Sequence, residues 1–85
     1  MYNHSTDNKT SKKHIQKFTS LGLNIAYYRK KMGMTQEQLA TLINVKRTHI
    51  SKIESPNLQT QISLETLFDI ANVLEVDASK LFEER

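Results

Sequence analysis

Cysteine is absent from this chain of 85 residues, and glycine and proline are scarce, at two residues and one. Without cysteine the chain can form neither a disulfide bond nor a thiolate metal site, so burial alone must stabilise its fold. The scarcity of glycine and proline argues against a disordered or loop-rich protein. A chain of this length forms one small core, which leaves little room for a large catalytic cleft.

Long apolar runs are missing as well. The first twenty residues are polar, and charged residues break the apolar stretches further along. A membrane span needs roughly 18 or more apolar residues, and a secretory signal needs an apolar segment near the start of the chain. We therefore expect a cytoplasmic protein that does not associate with membranes.

The residue combinations that support catalysis or metal binding are also missing. His4, His14 and His49 are scattered, without the spacing of metal ligands. The two glycines stand eleven positions apart, at 22 and 33, so there is no glycine-rich phosphate loop. No recognised motif joins serine, histidine and aspartate. We expect no metal, no cofactor and no enzymatic activity.

Charge is unevenly distributed along the chain, although the net value of +3 is mild. In residues 1–20, four lysines against one aspartate give +3, and in residues 21–54 six basic against two acidic residues give +4. Residues 55–85 carry two basic and six acidic residues, which give −4. This distribution suits a protein with one face toward a polyanion. The alternative is that the charges merely solvate the surface.

The chain divides into two parts by pattern. Residues 1–17 have almost no apolar periodicity, which predicts a flexible basic arm before a domain that spans residues 18–85. The lysines of the arm could contact phosphates or enter a minor groove, or they could form a solubilising tail.

Apolar residues at helical spacing predict five short helices and no strand in the rest of the chain. The first covers residues 18–32, and Gly33 ends it in a left-handed conformation. Its inner stripe consists of Leu21, Ile25, Tyr28 and Met32. Ser63 caps a fourth helix that buries Leu64, Leu67, Ile70, Ala71 and Leu74, and Asp77 caps a short fifth helix with Leu81 and Phe82.

Two short helices with a very tight connection are predicted between these. Thr35 and Gln38 form a capping box at the start of the second helix, and Asn44, which tolerates positive φ, follows its end. The third helix covers about residues 46–54 and stops before Pro56. Such a turn makes the helices cross steeply, so that the second of the two is held outward.

The outward face of the third helix consists of hydrogen-bonding residues without an acid. Ile50 and Ile53 point to the core, and the opposite face is formed by Arg47, Thr48, His49, Ser51 and Lys52. An α-helix fits the major groove of DNA, where such side chains can bond to base edges. A polar solvent-facing helix side is the alternative interpretation.

An ordered set of residues runs through all five predicted helices. It comprises Leu21-Gly22, Ile25, Tyr28-Arg29, Gly33-Met34-Thr35-Gln36-Glu37-Gln38-Leu39-Ala40, Ile43-Asn44-Val45, Ile50-Ser51-Lys52-Ile53-Glu54, Ser63-Leu64-Glu65-Thr66-Leu67, Ile70-Ala71 and Leu74. With this set, residues 21–82 resemble the Cro/phage-repressor-like helix-turn-helix family, also called the XRE family. The resemblance implies an all-α, lambda-repressor-like domain of five short helices. It also implies a homodimeric regulator of transcription, a repressor, which reads double-stranded DNA with its third helix.

The resemblance assigns roles to individual residues. Arg47, Thr48 and Lys52 match the main base-reading positions of the family, and His49 and Ser51 match flanking positions. Gln36 matches a glutamine that contacts the DNA backbone.

Thr35 and Lys46 complete the expected phosphate contacts. Arg29 and Glu54 match a paired arginine and glutamate that join the first and third helices, so we expect a structural ion pair. Contact between Arg29 and a phosphate is the alternative.

The chain departs from the family pattern in three places. Asn44 stands where glycine is usual, and Lys46 stands where a capping serine or threonine is common. Ser55-Pro56 replaces a glycine, and the loop that follows is longer, which puts backbone contacts by Asn57 or Gln59 in doubt.

Other functions remain open at this point. The protein could control a restriction–modification system, or it could be a protein-interaction module such as an antitoxin. Phe68 and Phe82, on the acidic C-terminal part, would then contact a protein partner. A dimer contact around the fourth and fifth helices would use the same region.

Overall fold

The computed structural model describes residues 14–55 and 62–84 and contains no strand among them. Four α-helices follow one another: α1 (Ile15–Lys31), α2 (Gln36–Leu42), α3 (Arg47–Glu54) and α4 (Leu64–Leu74). A 3₁₀-helix (Ala78–Phe82) comes last. The all-α class is therefore confirmed, but the fifth predicted helix is a 3₁₀-helix, the tighter form that is common in short segments. Within the described residues, no helix combines the length and apolar character needed to cross a membrane.

Helix α1 begins at Ile15, three residues before the predicted start at Phe18. Residues 15–17, which the sequence placed in the arm, are therefore helical. Phe18 packs against the core, whereas Gln16 and Lys17 are exposed. Residues 1–13 of the predicted arm lie outside the described residues, and the division into arm and domain stays a prediction.

The end of α1 is fixed by Gly33, which has a φ of 72° as predicted. The N–H of Gly33 donates to the carbonyl of Lys30 at 2.9 Å, and the N–H of Met34 donates to the carbonyl of Arg29 at 3.1 Å. This pair of bonds is a Schellman motif. Met32 was predicted to be buried, but it lies after the last helical residue and is 44% exposed.

Helix α2 carries the predicted capping box. The Thr35 hydroxyl accepts a hydrogen bond from the N–H of Gln38 at 3.0 Å, and the side-chain oxygen Oε1 of Gln38 accepts one from the N–H of Thr35 at 2.8 Å. Asn44 has a φ of 61°, and the N–H of Val45 donates to the carbonyl of Ala40, so α2 also ends in a Schellman motif. Asparagine fills this role because it tolerates the left-handed region.

The start of α3 has no side-chain cap, as the presence of Lys46 there predicted. Ser63 does cap α4, since its hydroxyl accepts a hydrogen bond from the N–H of Thr66 at 3.1 Å. Asp77 stands at the N-cap of the 3₁₀-helix but makes no side-chain cap bond, so its predicted role was wrong. Glu75 ends α4 with a φ of 59°, which the sequence did not predict.

One apolar core joins all five elements. Leu64 was expected in it but is 67% exposed, because it lies in the first turn of α4, outside the packed stripe. The buried apolar residues are Leu21, Ile25, Leu39, Ala40, Ile50, Ile53, Leu67, Ile70, Ala71, Leu74 and Leu81.

Two residues of α1 hold neighbouring elements in place. Gly22 lies directly against α3, where a Cβ atom would overlap the carbonyl oxygen of Ile53. Asn24 is buried, and its Nδ2 donates to the carbonyl oxygens of Leu81 at 3.0 Å and Glu83 at 2.6 Å. Helix α1 therefore fixes both α3 and the end of the 3₁₀-helix.

Candidate nucleic-acid interface

Helix α3 presents a polar face to solvent, because Ile50 and Ile53 are buried on its other side. Arg47, Thr48 and Lys52 are exposed. His49 and Ser51 are half-buried at the flanks, so they offer less of their surface. All five predicted base-reading residues thus lie on one helix. Three of their side chains are exposed and two are half-buried.

The start of α3 concentrates positive charge. Lys46 is exposed at the N-cap, and Arg47 is exposed at the first helical position. Lys52 adds a third cation one and a half turns further on. Backbone N–H groups at a helix start also favour an anion. This end of α3 has the electrostatic character that phosphate binding requires.

Arg29 and Glu54 form a buried ion pair between α1 and α3, and their side chains are 8% and 5% exposed. Nε of Arg29 donates to Oε2 of Glu54 at 2.7 Å, and Nη2 donates to Oε1 at 2.9 Å. Nη1 donates to the carbonyl oxygen of Met34 at 2.7 Å. The guanidinium therefore fixes the end of α3 against α1 and the turn before α2. Because its side chain is only 8% exposed, Arg29 is not accessible to a phosphate.

Gln36 extends this pair toward the surface, a role that sequence reasoning missed. Its Nε2 donates to Oε1 of Glu54 at 2.9 Å, and its Oε1 accepts from Nη1 of Arg47 at 3.4 Å. Gln36 is the first residue of α2 and Glu54 the last of α3. No spacing rule connects these two positions, so the sequence offered no signal for the contact.

Thr35, another predicted phosphate contact, already uses its side chain to cap α2. Its hydroxyl oxygen already accepts the capping bond from Gln38, although the side chain is exposed. A hydroxyl can accept and donate at once, so its hydrogen still has the capacity to reach a phosphate oxygen.

A second surface lies on α4 and the 3₁₀-helix. Phe68 is 56% exposed and Phe82 is 53% exposed. In the alternative of a protein-interaction module, these two residues would contact the protein partner. In the described parts of the chain, no group of three or more histidine, aspartate or glutamate residues is arranged to hold a metal ion.

Comparison with known proteins confirms the family resemblance. Residues 25–81 match the model of the family HTH_3, described as helix-turn-helix. The HTH-type transcriptional regulator SinR of Bacillus subtilis is 35% identical over 65 residues, which cover 76% of this chain and 58% of SinR. The chain therefore spans less than two thirds of that relative's length.

Two solved structures share the fold. One is SinR, the master regulator for biofilm formation, in complex with DNA: the TM-score is 0.68 at 35% identity, over 74% of this chain and 98% of that one. The other is the restriction–modification controller protein C.AhdI from Aeromonas hydrophila. Its TM-score is 0.70 at 26% identity, over 76% of this chain and 96% of that one.

Proposed function

The chain belongs to the helix-turn-helix family HTH_3, and we propose that it is a sequence-specific regulator of transcription, a repressor, that binds double-stranded DNA. One observation carries the proposal: α3 exposes a cationic side, while its opposite, apolar side packs on α2 and α1. An α-helix held in this way fits the major groove. That the similar protein SinR has been solved with DNA supports the same function.

Base recognition falls to the exposed residues of α3. Arg47 has the geometry for a bidentate bond to guanine, while Thr48 and Lys52 bond to base edges nearby. His49 and Ser51, which are half-buried, make the flanking contacts. These assignments place the specificity in the first two turns of the helix.

Phosphate contacts surround the start of α2 and α3. Lys46 neutralises a phosphate with its exposed amine, and the Thr35 hydroxyl donates to another. Gln36 uses one hydrogen of Nε2 on Glu54, and an amide nitrogen carries two, so the proposal assigns the second to the DNA backbone. Such contacts position α3 without reading sequence.

A homodimer would read a palindromic site, since helix-turn-helix dimers bind half-sites about one helical turn apart. Phe68 and Phe82, both more than half exposed, supply an apolar surface for the second copy. A protein partner of another kind would use the same surface. A cytoplasmic location is part of the same proposal.

A second candidate function is control of a restriction–modification system. It is supported by the likeness to C.AhdI, which aligns over 96% of its length. Both functions use the same DNA-binding surface and differ in the genes they regulate. Identification of the bound operator would separate them.

Two single substitutions test the assignment of residues. We expect Arg47→Ala to relax the preference at one base pair by about 1–3 kcal/mol. Lys46→Ala should instead weaken all sequences alike and reduce the slope of log K against log salt by about 0.9. Lys80→Ala is the control, because Lys80 is an exposed lysine on the 3₁₀-helix, paired with Glu83.

The test measures binding constants for a selected operator and for its single-base variants, each at several salt concentrations. These constants give the base preference and the slope of log K against log salt. If Arg47→Ala weakened all sequences equally, Arg47 would be a phosphate contact and the assignment would be wrong. Circular dichroism must show that the variants are folded, since unfolding of both would also defeat the role assignment.

A further inference from the structure

Two pairs of large apolar side chains are exposed on different helices. On α1, Leu23 is 51% and Tyr27 is 44% exposed, and on α4, Leu64 is 67% and Phe68 is 56% exposed. The members of each pair are four positions apart, so they lie one above the other on the same side of their helix. Within one chain neither pair covers the other. Single exposed apolar residues need no explanation, but apolar pairs of this kind are candidates for contact with another molecule.

The pair on α1 is accompanied by positive charge. Lys30 and Lys31 are exposed and follow Tyr27 by three and four positions, so they lie beside it one turn further on. The Nζ atom of Lys31 is 5.8 Å from the centre of the Tyr27 ring, within the range of a cation–π contact. No acidic residue occurs in α1. We call Leu23, Tyr27, Lys30 and Lys31 the basic face.

The pair on α4 is accompanied by negative charge. Glu65 and Asp69 are exposed, and each directly follows one of the two apolar residues. No basic residue occurs in α4. We call Leu64, Glu65, Phe68 and Asp69 the acidic face. The two faces therefore have the same apolar spacing and opposite charge.

We infer that the basic face of one copy of this chain docks on the acidic face of a second copy. In a symmetric dimer this contact is made twice, because each surface that contacts its complement on the partner is matched by the reciprocal contact. The dimer covers both apolar pairs of each copy and sets the two lysines of one copy against the two carboxylates of the other. Two basic faces or two acidic faces placed together would instead set like charges against each other.

A second copy explains these faces better than DNA does. Phosphates attract the lysines of the basic face, but they provide no apolar surface for Leu23 and Tyr27 and they repel the acidic face. No residue of α3 belongs to either face. The inference rests on the homodimer of the proposed function and adds α1 to its interface: Phe68, assigned there to the contact between copies, packs on Leu23 and Tyr27.

Charge reversal in two variants tests this pairing. Lys30→Glu with Lys31→Glu makes the basic face acidic, and Glu65→Lys with Asp69→Lys makes the acidic face basic. We expect the dimer dissociation constant of each variant alone to rise at least about 10-fold, because like charges then face each other. An equimolar mixture of the two variants should form dimers again, since every face then meets its opposite charge.

Sedimentation velocity of the full chain over a concentration series, without DNA and at low salt, measures these constants, because exposed charges are least screened there. Glu37→Lys with Asp77→Lys is the matched control. It reverses two exposed acids outside both faces and should leave the dissociation constant unchanged. Circular dichroism checks that each variant is folded. If a double reversal does not fold, Lys31→Glu and Glu65→Lys are used instead.

Three results would overturn the inference, and they separate it from the proposed function. If the unmodified protein dimerises and the variant with the acidic α1 dimerises equally well, the copies meet without α1, and the homodimer stands. If both variants are monomeric and their mixture is monomeric too, the two faces do not meet each other. If the unmodified protein is monomeric with and without its operator, the proposed homodimer fails as well, while sequence selection by α3 is measured independently.

Discussion

Removing one partner of the Arg29–Glu54 pair should strongly destabilise the protein. In Glu54→Leu, the guanidinium of Arg29 keeps its bond to Met34 but stays charged at a site where its side chain is 8% exposed. Stranding a buried charge in this way costs about 3–5 kcal/mol. Small domains have a total unfolding free energy of about 5–15 kcal/mol, so the loss is a large share of it. The melting temperature should fall by roughly 4–8 °C for each kcal/mol lost.

Removing both partners should cost less than removing either one. In Arg29→Met combined with Glu54→Leu, no charge is stranded, and apolar side chains of similar volume fill the site. The double variant leaves two hydrogen-bonding groups unsatisfied: the carbonyl of Met34 loses its donor, and Nε2 of Gln36 loses its acceptor. Each unsatisfied group costs about 1–3 kcal/mol, but each single variant already has one of them in addition to its stranded charge, so the double variant should be more stable than both single variants.

Urea unfolding of the four proteins measures these differences, provided that the slope m is the same for all of them. Lys80→Ala with Glu83→Ala forms a matched cycle on an exposed pair, where the N–O distance is 3.6 Å and both side chains are more than half exposed. That coupling should be below about 1 kcal/mol. If the losses from Arg29→Met and Glu54→Leu simply added in the double variant, the reasoning about a stranded charge would be refuted.

Four further substitutions test local features of the fold, each by the change in urea midpoint. Gly22→Ala should destabilise the protein by about 3 kcal/mol or more, because the new Cβ overlaps the carbonyl of Ile53; an unchanged midpoint would mean that α1 and α3 do not approach so closely. Thr35→Ala should cost about 1 kcal/mol through loss of the capping box, and a loss below a few tenths would contradict the cap's importance. Glu75→Gly should stabilise by about 0.5–1 kcal/mol, because it relieves a left-handed φ of 59°. Asn44→Gly should gain less, since asparagine tolerates that region, and the reverse order would contradict this explanation.

Features that depend on neighbours in sequence were predictable. The capping box of Thr35 and Gln38, the left-handed turn at Gly33 and the cap at Ser63 each follow from side chains within three or four positions. The apolar stripes of α3 and α4 follow from helical spacing. The family resemblance supplied the pairing of Arg29 with Glu54, which local rules do not reveal.

Features that depend on packing between distant segments were not predictable from the sequence. Asn24 bonds to Leu81, 57 positions away, and its burial is invisible in a pattern of apolar residues. The orientation of Gln36 depends on Glu54, 18 positions away. The earlier start of α1 at Ile15 is not indicated by the mostly polar segment that precedes Phe18.

Selection of bound duplexes from a randomised DNA library, at near-physiological salt, tests the central claim most directly. We expect enrichment of a palindromic site whose half-sites lie about ten base pairs apart, as a dimer with α3 in successive major grooves requires. Recovery of no preferred sequence, with binding that weakens steeply as salt rises, would show electrostatic attachment alone and would contradict sequence-specific regulation.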